Sequence, residues 1–271
     1  MSGGASYLDD AVAKIQDDDA GSGRTQGQGQ AKITFYIDIV SPFGYLAWWM
    51  LRNSPTFKNV QITPLPILLG GLHKQCGNLA PILIKNKKEW INRERERWAE
   101  TFAIPIRDGA PPGFPVSTVG AMRVLTALGM EDNLERGVYE RVVDVFWAAL
   151  WCPQSPVLKN AKGRGEGGEF DVKSPEVLTA LLGSVDGIDE DRAREIVKRT
   201  GEKDVKDRLV GNTNLAFERG AFGMPWFECE NSKGEKEGFW GFDHLGQVVR
   251  FLGLDERGDL GRSGRGLRAL L

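Results

Sequence analysis

The segment Ser41-Pro42-Phe43-Gly44-Tyr45 constrains the fold of this 271-residue chain more than any other stretch. It follows an apolar run over 32–40 that is rich in β-branched and aromatic residues and predicts a buried strand. It leads directly into an apolar helix predicted over 44–53. A Ser-Pro pair between a strand and a helix places a hydroxyl at the helix N-terminus, either as a plain cap or as an anion ligand. Free backbone N–H groups and the positive end of the helix dipole favour an anion at that position.

The order of the predicted elements outlines one mixed sheet interrupted by helices. A second strand over 60–65 follows the first helix closely enough to be parallel to the first strand. Helical patterns then dominate, with Gly70-Gly71 and Gly77-Asn78 as loops and helices predicted over 87–102, 118–128, 134–150, 175–182 and 190–200. A helix over 206–220, a hairpin over 225–240 and a helix over 245–252 close the chain. This order predicts an α/β, thioredoxin-like fold with a helical domain inserted after the second strand, the arrangement called DsbA-like.

The predicted domains follow from that order. Residues 31–69 and 206–254 form a discontinuous thioredoxin-like domain, and residues 70–205 form the inserted helical domain. Residues 1–30 hold few large apolar groups and are expected to be a disordered arm, and residues 255–271 are expected to be a flexible tail. The Gly-rich charged stretch over 160–168 is expected to be a surface loop.

Thioredoxin-like proteins hold a Cys-x-x-Cys pair where this chain holds Ser-x-x-Gly over 41–44. The chain therefore cannot cycle a disulfide there, although it could hold the thiolate of another molecule. Its three cysteines are far apart and form no Cys-x-x-Cys, so neither a disulfide framework nor a zinc site is expected. This use of cysteine fits a reducing compartment. With two histidines in the chain, no metal site is expected.

Charge and hydropathy limit the partners and the location. A formal net charge of −2, with both signs interspersed, gives no reason to expect nucleic acid or an anionic membrane as a partner. No apolar run approaches the roughly 20 residues that span a bilayer. The N-terminal residues lack the apolar core of a secretory signal and are acidic, unlike a mitochondrial transit peptide. A soluble, intracellular protein is expected, with cytoplasm, mitochondrion and peroxisome left open.

A second motif, Ala221-Phe222-Gly223-Met224-Pro225-Trp226, enters the late strand through a tight turn. The turn fits a cis X-Pro bond, with an ordinary Pro-initiated turn as the alternative. In thioredoxin-like folds this loop lies against the active-site helix and offers the backbone of the residue before Pro to an extended peptide. Asp243 is expected to cap the last helix, although it could equally bind a ligand ammonium group.

The chain resembles the kappa class of glutathione transferases from about Ile33 to Leu254. The resemblance rests on the Asp-x-x-Ser-Pro block over 38–45, Gly77-Asn78 followed by Lys87, Ala103-Ile104-Pro105-Ile106, Ala121-Met122-Arg123, the 221–225 motif and Gly241-Phe242-Asp243. The same superfamily includes the bacterial 2-hydroxychromene-2-carboxylate isomerases, which also use glutathione. Three residues depart from the family pattern: Gly44 stands where serine is frequent, Tyr45 where tryptophan is frequent, and Phe242 where a small hydroxylic residue is frequent.

The resemblance implies a role for each matching residue. Ser41 would be the catalytic serine that hydrogen-bonds the glutathione sulfur. Asn78 and Lys87 would line the glutathione pocket, with Lys87 facing a carboxylate, and Met224 would pair its backbone with the glutathione cysteine. The residues implied to bind glutathione are Pro42, Phe43, Asn78, Lys87, Met224, Pro225, Phe242 and Asp243, the last two at the γ-glutamyl end.

The resulting expectation is a glutathione S-transferase that conjugates the glutathione thiolate to small hydrophobic electrophiles in detoxification, with peroxidase activity as a second reaction. Glutathione is the expected co-substrate, no metal is expected, and the resemblance implies a homodimer. A glutathione-dependent isomerase of the 2-hydroxychromene-2-carboxylate type and a non-catalytic thioredoxin-like binding module are the alternatives.

Overall fold

The computed structural model describes residues 29–135 and 137–255 of the chain. The predicted disordered arm and flexible tail therefore lie almost wholly outside the described residues. The strands are β1 (Lys32–Ile37), β2 (Gln61–Pro66), β3 (Trp226–Glu230) and β4 (Lys236–Trp240). The α-helices are α1 (Pro42–Asn53), α2 (Leu69–Cys76), α3 (Lys87–Phe102), α4 (Val119–Gly129), α5 (Val138–Trp151), α6 (Pro175–Leu182), α7 (Glu190–Arg199), α8 (Lys203–Glu218) and α9 (Leu245–Leu252).

The four strands form one mixed sheet in the order β2-β1-β3-β4. β1 pairs parallel with β2, with Phe35 opposite Pro64, and antiparallel with β3, with Phe35 opposite Phe227. The predicted parallel pairing is confirmed, because α1 supplies the crossover between β1 and β2. Pro64 and Pro66 have no backbone N–H to give to a neighbouring strand, which suits the position of β2 at the sheet edge.

The helices between β2 and β3 form the large helical region that the sequence predicts. Within it, α4 packs against α5, α7 and α8, and α5 packs against α1. Val142, Phe146 and Trp147 of α5 are fully buried. A helix that is apolar on most of its surface belongs inside a core, so α5 joins the helical region to the helix that begins at Ser41.

The end of β1 differs from the prediction, which extended the strand to residue 40. β1 ends at Ile37, and residues 38–40 form a turn. Asp38 makes this turn, because its carbonyl oxygen accepts the Ser41 N–H at 3.1 Å and its Oδ1 accepts the Val40 N–H at 3.1 Å. These hydrogen bonds replace ladder hydrogen bonds that a longer strand would need.

The predicted loop at Gly70-Gly71 is wrong, since both glycines lie in α2. The N–H of Leu69, the first residue of α2, donates to Asp38 Oδ2 at 2.9 Å, which fixes the start of the helix. A Cβ on Gly71 would lie 3.4 Å from Thr213 Cγ2 of α8, so the glycine permits a close approach of the two helices. Tertiary packing therefore outweighs the low helix propensity of glycine.

Other predicted helices agree with the structure. Helices 87–102, 175–182 and 245–252 are observed with the predicted bounds. Ser174 caps the helix over 175–182, because its Oγ accepts the Val177 N–H at 3.3 Å. The division into a domain over 31–69 and 206–254 and an insertion over 70–205 stays a prediction. No helix within residues 29–135 and 137–255 is long and apolar enough to cross a membrane.

Candidate active site

Ser41 caps α1 and keeps a free hydroxyl hydrogen. Its Oγ accepts the Gly44 N–H at 3.1 Å, and its side chain is 5% exposed. The hydroxyl hydrogen has no acceptor among the described residues, so the cap leaves it available to a ligand. The remaining N–H groups of the first turn of α1 and its dipole favour negative charge at the same point.

The Ser-Pro pair by itself does not mark an active site in this chain. Ser54, Ser155 and Ser174 also precede prolines, and each accepts a backbone N–H at the start of a short helix. Ser174 donates its hydroxyl to Glu176 at 2.6 Å, unlike Ser41. Ser41 differs from these caps in that its helix, α1, packs against the turn Phe242–His244.

The Met224–Pro225 peptide bond is cis, which confirms the prediction for this turn. The Pro225 carbonyl oxygen accepts the Gly241 N–H at 3.0 Å, and the one-turn helix Phe242–His244 that follows packs against α1. The backbone N–H and C=O of Met224 have no hydrogen-bond partner among the described residues. An extended peptide could therefore pair with Met224 as an added strand.

Asn78 is joined to the same loop. Its Nδ2 donates to the Phe222 carbonyl oxygen at 2.9 Å, and its Oδ1 accepts the Leu79 N–H at 2.9 Å. Lys87 is exposed in the first turn of α3, and its ammonium group has no partner among the described residues. Trp98, the residue of α3 that contacts Phe242, lies 11 residues after Lys87, which is about 16 Å along the helix axis at 1.5 Å per residue. No contact in the described part of the chain ties Lys87 to Ser41.

The side chains of Phe242 and Asp243 differ in burial. Phe242 is fully buried, and its ring centroid lies 5.7 Å from that of Trp98 and 5.8 Å from that of Phe102. The Asp243 side chain is 61% exposed. The prediction that Asp243 caps the last helix is wrong, because the Phe242–His244 turn precedes α9 and no side chain caps either element. The Asp243 carboxylate instead lies 3.4 Å from His244 Nδ1.

Asp38, which the sequence analysis treats only as part of a motif, accepts hydrogen bonds from residues at the starts of three helices, α1, α2 and α4. Its Oδ1 accepts the Thr118 hydroxyl at 2.6 Å at the start of α4, in addition to the Val40 N–H before α1, and Oδ2 accepts the Leu69 N–H of α2. Burial raises the pKa of this carboxyl, while the hydrogen bonds from Thr118, Leu69 and Val40 lower it. The turn before Ser41 and the starts of α2 and α4 are thus tied to one buried carboxyl group.

Sequence reasoning did not assign the aromatic residues that pack against Phe242. Trp98 and Phe102 follow the helical spacing of apolar positions in α3, but that spacing gives no sign that they contact Phe242. Pro42 and Phe43 open α1 and are partly buried. Among the described residues, no group of His, Cys, Asp or Glu side chains could hold a metal ion.

Known proteins resemble this chain in sequence and in fold. Residues 32–162 match the family model described as a DSBA-like thioredoxin domain. The chain is 26% identical over 227 residues to glutathione S-transferase kappa 1 of Caenorhabditis elegans, covering 82% of this chain and 90% of that protein. It is 25% identical over 226 residues to 2-hydroxychromene-2-carboxylate isomerase of Pseudomonas sp. (strain C18), covering 82% of this chain and 90% of that protein.

The solved structure of a selenomethionine 2-hydroxychromene-2-carboxylate isomerase superposes with a TM-score of 0.63 at 22% identity, covering 82% of this chain and 94% of that one. This match confirms the predicted fold class, a mixed sheet with a helical region between β2 and β3. The chain therefore has a DsbA-like thioredoxin fold, and its sequence is similar to kappa glutathione S-transferases and 2-hydroxychromene-2-carboxylate isomerases.

Proposed function

We propose that this chain is a glutathione transferase that conjugates the glutathione thiolate to small electrophiles. The observation that carries the proposal is the Ser41 hydroxyl hydrogen at the N-terminus of α1, which has no acceptor among the described residues. The Met224 backbone before the cis bond, which also has no partner among these residues, supports it. Similarity to proteins named glutathione S-transferase kappa supports glutathione as the co-substrate.

The proposed chemistry needs no protein base. A free thiol has a pKa of about 8.5, and a lowering of about two units corresponds to about 2.7 kcal/mol. One charge-assisted hydrogen bond from Ser41 is worth about 1.5–3 kcal/mol. The helix N-terminus adds about 0.3–1 kcal/mol. These two contributions together are large enough to hold the bound thiol as a thiolate at neutral pH, with its proton released to solvent. The thiolate would form a C–S bond at an electrophilic carbon as a leaving group such as halide departs. With a hydroperoxide it would take the terminal oxygen, which breaks the O–O bond and gives a sulfenate and an alcohol.

We assign the backbone and the charged ends of glutathione to other residues of the chain. Its extended backbone would pair with the N–H and C=O of Met224, and Asn78 would hold the Phe222 end of that loop in place. Trp98, which is partly buried against Phe242, would offer an apolar aromatic face to the electrophile. We assign Lys87 and Asp243 to the charged ends of glutathione, since both side chains are exposed.

The test compares Ser41→Ala with Ser174→Ala, a cap of the same Ser-Pro type on α6. Each substitution removes a helix cap at a cost of about 1 kcal/mol, so stability loss is matched. Glutathione consumption with an activated aryl halide and with an organic hydroperoxide is followed over roughly pH 5.5 to 8, below the pKa of the free thiol. We expect Ser41→Ala to lose turnover strongly and to shift its pH profile upward, with Ser174→Ala close to wild type. An unchanged pH profile in Ser41→Ala would contradict the role of Ser41.

A glutathione-dependent isomerase is the second candidate, and the similarity to 2-hydroxychromene-2-carboxylate isomerase in both sequence and fold favours it. In that reaction glutathione adds reversibly and leaves again, so Ser41 and the Met224 backbone would serve both activities. Product analysis distinguishes them: a stable thioether indicates the transferase, and a rearranged substrate without one indicates the isomerase. A failure to bind glutathione at all would leave a non-catalytic thioredoxin-like module.

A further inference from the structure

A groove of about 670 Å³ lies between the second half of α3 and the segment that follows it. Its acidic lining is Glu96, Glu100 and Asp108, and its apolar lining includes Ala99, Ile104, Pro105 and Ile106. The N–H and C=O of Ile106 have no hydrogen-bond partner among the described residues. A bound stretch of chain could therefore pair with this backbone while its side chains contact the apolar lining.

The groove has an excess of negative charge. Arg107, the cation of its lining, is already paired with Glu169 through two hydrogen bonds of 2.7 and 2.8 Å. Glu96 pairs with the buried Arg95 at 3.1 Å. Glu100 and Asp108 form no ion pair with another described residue. Two of these four carboxylates are therefore not neutralised, and the groove favours a cationic partner.

A basic and apolar segment of the same chain lies outside the described residues. Residues 262–271, RSGRGLRALL, combine three arginines and three leucines with no acidic residue. Residues 1–28, which also lie outside the described residues, hold five aspartates against one lysine and one arginine. Like charges would repel residues 1–28 from the groove, whereas residues 262–271 match both its charge and its apolar lining.

Residues 262–271 are close enough in the chain to reach the groove. The carbonyl oxygen of Asp255, the last described residue, accepts the Thr56 hydroxyl at 3.3 Å, just beyond the end of α1. Tyr45, near the start of α1, contacts the groove residue Pro105. From Tyr45 to Asn53 the helix axis covers about 12 Å. Residues 256–261 alone extend over roughly 20 Å, and residues 256–271 extend over roughly 50 Å.

We propose that residues 262–271 bind in this groove of the same chain. The arginines pair with Glu100 and Asp108, and the leucines cover Ala99 and Ile106. Tethering gives such a segment an effective concentration of roughly millimolar, so even a weak contact keeps it bound for much of the time. Because Pro105 accepts the Tyr45 hydroxyl, the bound segment lies beside the contact that anchors α1 to this region.

A second exposed apolar surface does not suit this segment. Leu79, Leu83 and Trp90 are each more than half exposed. Three lysines lie between Leu83 and Trp90, with one glutamate, so this surface repels a segment that carries three arginines. The acidic groove is therefore the better match for residues 262–271.

Limited trypsin digestion of the full chain tests the proposal, with fragments identified by mass. The rate of cleavage after Arg262 is divided by that after Arg257, which lies in the connecting residues and serves as an internal reference. The groove variant is Glu100→Lys with Asp108→Lys. The control is Glu195→Lys with Glu218→Lys, which makes the same change in net charge at exposed positions of α7 and α8. Tm is recorded for every variant.

We expect the cleavage ratio to rise several-fold in the groove variant and to stay at the wild-type value in the control. Arg265→Glu with Arg268→Glu should also raise the ratio, and this variant leaves the folded residues unchanged if the groove variant does not fold. Combining it with the groove variant restores opposite charges, so the ratio should fall again.

An unchanged ratio in the groove variant, or no fall on combining the two sets of substitutions, would overturn the proposal. Protection of Arg262 that increases with protein concentration would also overturn it, because the occupant would then belong to a second copy of the chain. None of these outcomes depends on glutathione, so they leave the proposed function untouched.

Discussion

Thr118→Val tests whether the buried carboxyl of Asp38 is held in its charged form by the surrounding helix starts. Thr118 donates its hydroxyl to Asp38 Oδ1 at 2.6 Å, and both side chains are buried. Valine keeps the shape of threonine but has no hydroxyl. A hydrogen bond to a charged group is worth about 1.5–3 kcal/mol, so the free energy of unfolding should fall by about that amount at neutral pH.

The loss should depend on pH in a defined direction. Burial raises the pKa of Asp38 in the folded chain above its ordinary value. The contribution of this carboxyl to the free energy of unfolding is therefore fully present below the ordinary pKa and is lost as pH rises through the folded-state pKa. The Thr118 hydrogen bond lowers the folded-state pKa and limits that loss. Its removal raises the pKa further, so the deficit of Thr118→Val should be small near pH 4, about the ordinary pKa of an aspartate, and should grow as pH rises.

Urea unfolding at a series of pH values measures this dependence, with Thr126→Val as the matched control. Thr126 is buried on the same helix, α4, and its hydroxyl donates to the Met122 carbonyl oxygen at 2.8 Å, an uncharged acceptor. Its substitution should cost about 0.5–1.5 kcal/mol at every pH. A Thr118→Val deficit that is independent of pH, or no larger than that of Thr126→Val, would refute the charged state assigned to Asp38.

Two further substitutions test the cleft. Gly44→Ala should lower the free energy of unfolding, because overpacking against Trp147 costs about 1–3 kcal/mol. This cost exceeds the gain in helix propensity, which is at most about 1 kcal/mol. Gly211→Ala in α8 is the control and should raise Tm, because a Cβ there meets no atom within 4 Å. Asn78→Ala removes the hydrogen bond to the Phe222 carbonyl oxygen, so KM for glutathione should rise several-fold while kcat changes little; a fall in kcat at unchanged KM would place Asn78 outside the binding role.

Sequence reasoning predicts the fold well where the pattern is local. The Ser-Pro start of α1, the crossover to a parallel β2 and the amphipathic helix over 87–102 each depend on residues close in sequence. It fails at Gly70-Gly71, because the start of α2 depends on a hydrogen bond to Asp38, 31 residues away. It also fails at residues 38–40, where Asp38 turns the chain through hydrogen bonds to Val40 and Ser41 within a run that is otherwise apolar like a strand. Such contacts leave no periodic signal in the sequence.

The candidate site divides in the same way. The Ser41 cap and the cis bond before Pro225 are local features with recognisable residues, and both were predicted correctly. Trp98 and Trp147 reach the site only through packing of α3 and α5, and their spacing is that of ordinary core residues. The outward direction of Asp243 depends on the turn that precedes α9, which the short motif does not encode.

Residues between β2 and β3 and the strand β1 both contribute to the surroundings of α1. Tyr45 donates to the Pro105 carbonyl oxygen at 2.6 Å, Trp48 donates to Asp144 at 2.6 Å, and Ile39 accepts from Trp151 at 2.7 Å. These hydrogen bonds join α1 and the turn before it to residues outside the four strands, so the position of Ser41 depends on those residues as well as on the sheet. The same region supplies Trp98, Thr118 and Trp147, so under the proposed function a change in it would alter groups near the electrophile and near Ser41 together. Substrate preference among chains with this Ser-Pro start should therefore follow the sequence of the inserted helices more closely than that of the sheet.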